Sequence, residues 1–152
     1  MSDPKITHRN THTCANIVFA GLLAAGALIA GLYALIAFIG NGPKQYLTNA
    51  VYSFAISFVL LLLCLILANV RKNGKPFSAA IIWKLRIIAV IIVAAGCMPS
   101  YVEVNTSDNI KIVYTTVNFQ NFFIIALGVI VGIISQIFVY GHKLQEDNDL
   151  IA

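Results

Sequence analysis

Few side chains in this chain are spaced for chemistry. His8-x-x-x-His12, with Cys14 beyond it, puts two imidazoles on one face of a helical turn, the spacing of a zinc-ligand pair. A zinc site takes three or four ligands, so the set closes only if His142 or the acidic C-terminal residues approach in the fold. The plainer reading is a solvated polar tail, and no metal or other cofactor is expected. Catalysis needs a nucleophile, a base and a group that orients the base. Ser53, Ser57, Ser135 and Gln136 lie in apolar stretches with no His, Asp, Glu or Lys to activate them. Hydroxyls in such stretches bond their own helix or a neighbour, so an enzyme is not expected. A proton-coupled transporter uses an ionisable residue inside a span, and these stretches supply only amides, mostly at their ends: Asn49, Asn69, Asn118 and Gln136.

The stretches themselves are residues 17–40, 47–70, 87–102 and 122–140, and none contains a charge or a histidine. The 152-residue chain is 59% hydrophobic and 11% charged, too few charges to cover a soluble core when soluble domains carry about 25%. A helical span needs about 20 apolar residues. The third stretch is shorter, and residues 79–83 extend it backwards across Lys84 and Arg86, whose aliphatic stems let the charges snorkel to the interface. The expected fold is all-α: one integral-membrane four-helix bundle over residues 1–152, with spans at about 15–40, 47–70, 79–102 and 120–143. The first stretch exceeds the 7–15-residue core of a cleavable leader, so it reads as a retained span. Cys14, Cys64 and Cys97 are odd in number and give no disulfide framework.

Of the ten Lys and Arg, Lys5, Arg9, Arg71, Lys72, Lys75, Lys84, Arg86 and Lys143 fall on one side of the spans, and Lys44 and Lys111 on the other. The positive-inside rule then places both termini and the 71–86 loop in the cytoplasm. This asymmetry accounts for the net charge of +4 without invoking nucleic acid. A basic loop also attracts anionic headgroups, by about 1 kcal/mol per cation, although topology alone explains its presence.

Small residues at spacings of four, Gly21 with Ala25, Ala27 with Gly31 and Gly128 with Gly132, let helix backbones approach, either inside the bundle or across a homodimer face. Asn41-Gly-Pro-Lys reads as a turn. In Gly74-Lys-Pro-Phe-Ser78, Gly74 is placed to end the second helix, Pro76 to block its continuation and the Ser78 side chain to cap the third. Trp83 suits the aromatic belt, and Pro99 ends or kinks the third span. Residues 1–13 have no hydrophobic period and read as an unstructured or interfacial lead. The polar stretch 101–121 forms either a small β-hairpin, with Glu103 near Lys111, or an irregular loop. The fourth helix is expected to continue beyond the membrane, with Gly141 as a candidate bend. Acids near its C-terminus oppose the helix dipole, so Lys84 or Arg86 is expected to pair with Glu146 or Asp147 and tie helices three and four together.

Asn73-Gly-Lys-Pro-Phe-Ser78 followed by Lys84-Leu-Arg86, together with Gln136-Ile-Phe-Val-Tyr-Gly-His-Lys-Leu-Gln-Glu-Asp-Asn-Asp-Leu150, resembles the bacterial membrane family called "domain of unknown function 2975". The resemblance covers nearly the whole chain. Members typically end Asp-Leu-Thr plus an aliphatic residue, whereas this chain ends Asp149-Leu-Ile-Ala152. The family has no established enzymatic activity, and its genes often lie beside small helix-turn-helix regulators. The resemblance therefore implies a protein of the bacterial inner membrane that partners a cytosolic DNA-binding protein. On this reading Lys75, Phe77, Lys84, Arg86, Lys143, Glu146 and Asp149 form a mixed-charge docking surface with Phe77 as its apolar anchor. The competing role for Phe77 is insertion into the interface beside Trp83. The competing function is a small oligomeric transporter or channel.

Overall fold

The computed structural model describes the backbone of residues 4–73, 77–105, 111–116 and 118–151, and the side chains within 14–72, 77–101, 112–116 and 118–147. In chain order the elements are α1 (Pro4–Ile39), α2 (Gln45–Asn73), α3 (Ala79–Gly96), β1 (Ser100–Asn105), β2 (Lys111–Thr116) and α4 (Phe119–Ile151). All four helices are long and apolar enough to cross a membrane. The expected all-α, four-helix membrane architecture is what the chain forms, with one small sheet.

α1 begins at Pro4, so residues 4–13 continue the first helix and are not an unstructured lead. Proline is tolerated in a first turn because its missing N–H has no helical partner there. Extending an existing helix also needs no new nucleus, which lets a polar segment ride on the apolar one. The turn after α1 is where the sequence places it. Asn41 takes a left-handed conformation (φ 65°), and the Gly42 N–H donates back to the Ala37 carbonyl at 3.0 Å. This closes the helix in the Schellman manner. A Cβ on Gly42 would collide with that carbonyl, so the glycine is required sterically.

α1 and α2 form an antiparallel hairpin. The Ser57 hydroxyl donates to the Ala24 carbonyl at 2.8 Å, and the Cys64 thiol, seven residues on, points to the Ile17 carbonyl at 3.6 Å. Phe54 lies over Gly31, where an added Cβ would be 3.2 Å from the ring. Gly21 and Gly26 meet nothing within 4 Å of an added Cβ, so the Gly21–Ala25 pair is not part of this interface.

α3 is shorter than the expected 79–102 span. It stops at Gly96, with the Cys97 N–H donating to Val93 and the Met98 N–H to Ala95. A residue before proline is driven out of the helical region, so Pro99 turns the chain into β1. β1 pairs antiparallel with β2, resolving the 101–121 alternatives in favour of the hairpin. In its register Glu103 faces Val113 and Lys111 faces Asn105, which makes the expected Glu103–Lys111 neighbours a diagonal pair. Ser78 occupies the N-cap position of α3 without the expected side-chain bond; its carbonyl accepts from Ile81 and Ile82 instead.

α4 is continuous through Gly141, so that glycine does not interrupt the helix. Packing follows chain order: α1 on α2, α2 on α3, α3 on α4, with the larger interfaces inside the two hairpins. Among the described residues no backbone contact joins α1 to α4, so the bundle is open rather than closed into a ring. α3 carries most of the buried apolar residues, including Ile81, Ile82, Ile88, Ala89 and Ala95.

Candidate functional site

Two ends of the α3–α4 hairpin gather the polar and aromatic contacts. At the end nearest the sheet, Asn121 is only 2% exposed. Its Nδ2 donates to the carbonyls of Gly96 (3.0 Å) and Met98 (2.6 Å) and lies 3.3 Å from the Tyr52 hydroxyl. Its Oδ1 accepts from the Asn118 N–H at 3.2 Å. The last carbonyls of a helix have no partner within it, and here α4 supplies one for the end of α3. The Thr48 hydroxyl of α2 adds a bond to the Pro99 carbonyl at 3.3 Å. Sequence reasoning passed over Asn121. The available signal was the Asn118-x-x-Asn121 spacing at the start of a helix, the reciprocal half of a capping box.

Between the ends, Gly96 and Gly128 let the two helices close. A Cβ on Gly128 would lie 2.6 Å from Val93 Cγ2 and 2.9 Å from the Val93 nitrogen, and one on Gly96 would lie 2.7 Å from Ile125 Cγ1. Gly132 has room, with Ala89 Cβ at 3.8 Å. Of the two glycines in the spacing-of-four motif, the first is therefore consumed by packing within the chain. The Ser135 hydroxyl, wholly buried, donates to the Ile82 carbonyl at 3.4 Å. The Ser135–Ile82 and Asn121–Gly96 contacts share one antiparallel register, which sets Arg86 level with Val131.

At the basic end, Phe77 turns back onto α4. Its ring meets Phe138 edge-on, with centroids 5.1 Å apart, and covers Gly141, where an added Cβ would lie 2.8 Å from the ring. Phe77 is thus engaged within the chain. Its neighbours are Phe138 and Gly141, not a free surface. Arg71 and Lys72 lie in the last turn of α2, where cations complement the dipole, and an Arg71 guanidinium nitrogen lies 2.6 Å from Cys14 Sγ.

Of the seven predicted residues, the five whose side chains are described do not gather at one place. Lys75 and the Asp149 side chain lie outside the described residues, as do the side chains of His8 and His12. Lys143 and Glu146 are exposed on the far part of α4. Lys84 is half-buried and Arg86 exposed, both inside the span formed by α3. The expected pairing of Lys84 or Arg86 with Glu146 or Asp147 is not formed. Glu146 is fifteen residues along α4 from the level of Arg86, about 22 Å at 1.5 Å per residue, beyond the reach of an arginine. Glu146 instead lies 3.5 Å from His142 on its own helix. Among the described residues no three His, Cys, Asp or Glu side chains gather as a metal site.

Four helices of this length and apolarity define a multi-pass helical membrane protein. Compared with known proteins, the chain matches no family model, no curated protein and no solved structure.

Proposed function

We propose that this is a non-enzymatic protein of a bacterial cytoplasmic membrane, with both termini and the basic end inside, that holds a cytosolic regulator on its inner face. The observation that carries the reading is the length of α4. Its 33 residues extend about 50 Å, against a hydrocarbon core of about 30 Å. The excess projects as a rigid helix from the end where the cations cluster. Beyond Gly141 that helix exposes Lys143, Leu144, Glu146 and Asp147. Leu144 is 66% exposed amid charges of both signs, the pattern of an apolar anchor with a steering rim. Leu144 therefore takes the anchoring role that the sequence assigns to Phe77. The Phe77–Phe138 contact braces the base of the projection. The partner type, a small helix-turn-helix protein, comes from the family resemblance alone.

The test is to read the adjacent genes and, for a helix-turn-helix protein encoded there, to co-purify it from membranes with the full chain. Leu144→Asp, or removal of residues 145–152, is expected to abolish capture while the membrane part still inserts. Undiminished capture by both variants would refute this reading. The rival, an oligomeric transporter or channel, draws support from Lys84 and Arg86 lying within a span. Solute-dependent flux in liposomes, lost in Arg86→Gln, would replace the first reading with it.

A further inference from the structure

Arg86 falls within a candidate membrane span, and among the described residues no anion of its own chain meets it. α3 has 18 residues, about 27 Å, so it needs its whole length to cross a core of about 30 Å. Arg86 comes seven residues into that helix, about 10 Å from its start. The register with α4 agrees: Val131, at the same level, is nine residues, about 14 Å, short of Tyr140. Trp83, Arg86 and Val90 form an exposed stripe along α3, while Ile81, Ile82, Ile88 and Ala89 face the other helices. Arg86 therefore points at lipid, and its stem lines a shallow apolar groove of about 240 Å³ with Trp83, Ile87, Val90 and Ile91.

A cation at that depth is costly unless an anion meets it. Among the described residues Arg86 makes no hydrogen bond or ion pair. Of the carboxylates whose side chains are described, Glu146 and Asp147 lie at the far end of the fourth candidate span, Phe119–Asp147, about 22 Å or more along α4 from the level of Arg86. In a second copy beside the first in the same orientation, the described residues leave the same gap at this level. The complementary charge available there is a lipid phosphate drawn slightly inward to meet the snorkelling side chain.

We propose that the Trp83–Arg86–Val90 face of α3 binds one anionic phospholipid, its phosphate on the Arg86 guanidinium and an acyl chain along the groove of Ile87, Val90 and Ile91. The planar guanidinium offers a paired set of donors to phosphate oxygens, which an ammonium does not. In an anionic lipid no headgroup cation cancels the phosphate charge, which favours it over a zwitterionic neighbour at the basic end of the bundle.

Trp83 is the only tryptophan, so its fluorescence reports this groove alone. The full chain is reconstituted in mixtures of phosphatidylcholine and phosphatidylglycerol, with one or the other carrying brominated acyl chains that quench the indole on contact. The expected relative affinity for phosphatidylglycerol over phosphatidylcholine is about fivefold. Arg86→Gln should bring it to about one, and Arg86→Lys to an intermediate value, with helical circular dichroism unchanged. Equal quenching by the two lipids in the unmodified chain overturns the proposal. So does an equal loss in Lys143→Gln, which marks general surface attraction. Should Arg86→Gln misfold, the unmodified chain decides alone. A phosphate paired inside the interface keeps its preference at about 0.5 M salt, whereas a diffuse surface effect, whose disappearance overturns the site, is screened.

Discussion

Asn121, in the first turn of α4, donates to the carbonyl of Gly96, in the last turn of α3, at 3.0 Å. The amide satisfies the open end of one helix from the beginning of the next, and its Oδ1 closes its own helix start. Replacing it with Leu leaves the buried Gly96 contact and the part-buried Met98 contact without their side-chain donor. The expected cost is about 1–3 kcal/mol, read as a lower midpoint of unfolding in mixed micelles. Asn121→Asp should cost more, because a carboxylate oxygen would replace the donor and face two carbonyls.

The two glycines of the Gly128–Gly132 motif should separate cleanly. Gly128→Ala forces a methyl against the Val93 backbone, so α3 and α4 must part, at about 1–3 kcal/mol. Gly132→Ala places its methyl at ordinary contact distance from Ala89 and should leave the midpoint unchanged. Equal sensitivity at both positions would point to a dimer face across copies instead, and cross-linking at several protein concentrations would detect it.

Phe77 and Gly141 should behave as a coupled pair. Gly141→Ala pushes a methyl into the Phe77 ring, and Phe77→Ala removes the ring and its edge contact with Phe138. Each single change is expected to destabilise by about 1–2 kcal/mol. The double variant should be no worse than Phe77→Ala alone, because the collision is gone. A full cycle of the four proteins measures that coupling, and strict additivity would count against the packing described.

The three cysteines offer a reading of topology. Cys14 lies beside Arg71 at the basic end, Cys97 is exposed just past α3 near the sheet, and Cys64 points into the α1–α2 interface. With the basic end inside, a membrane-impermeant maleimide added to intact spheroplasts should label Cys97, and should reach Cys14 only after permeabilisation. Labelling in the reverse order would invert the proposed orientation.

Some of this was legible in residue order because it depends on local constraints. The turn at Asn41-Gly-Pro needs a left-handed residue and then a glycine, and only a few residue types serve. Pro99 ends α3 because the residue before a proline avoids the helix. Its influence began earlier than a hydropathy profile shows, since Cys97 and Met98 are apolar but already belong to the turn. Small residues were not legible in the same way. Gly21 and Gly128 look alike in the sequence, yet one faces open space and the other touches a backbone.

The sequence by itself determined that four helices are long and apolar enough to cross a membrane, because that depends only on length and composition along one segment. It also determined that a turn follows the first helix, and it left open whether Pro99 ends or kinks the third, which the structure stops at Gly96. Only the tertiary structure decided which carbonyls Asn121 meets, that Phe77 folds onto Gly141 and that Arg86 stands level with Val131. Those facts depend on the register between helices far apart in the chain. Van der Waals fit and a few interhelical hydrogen bonds set that register in lipid, where the hydrophobic effect gives no preference between one apolar face and another.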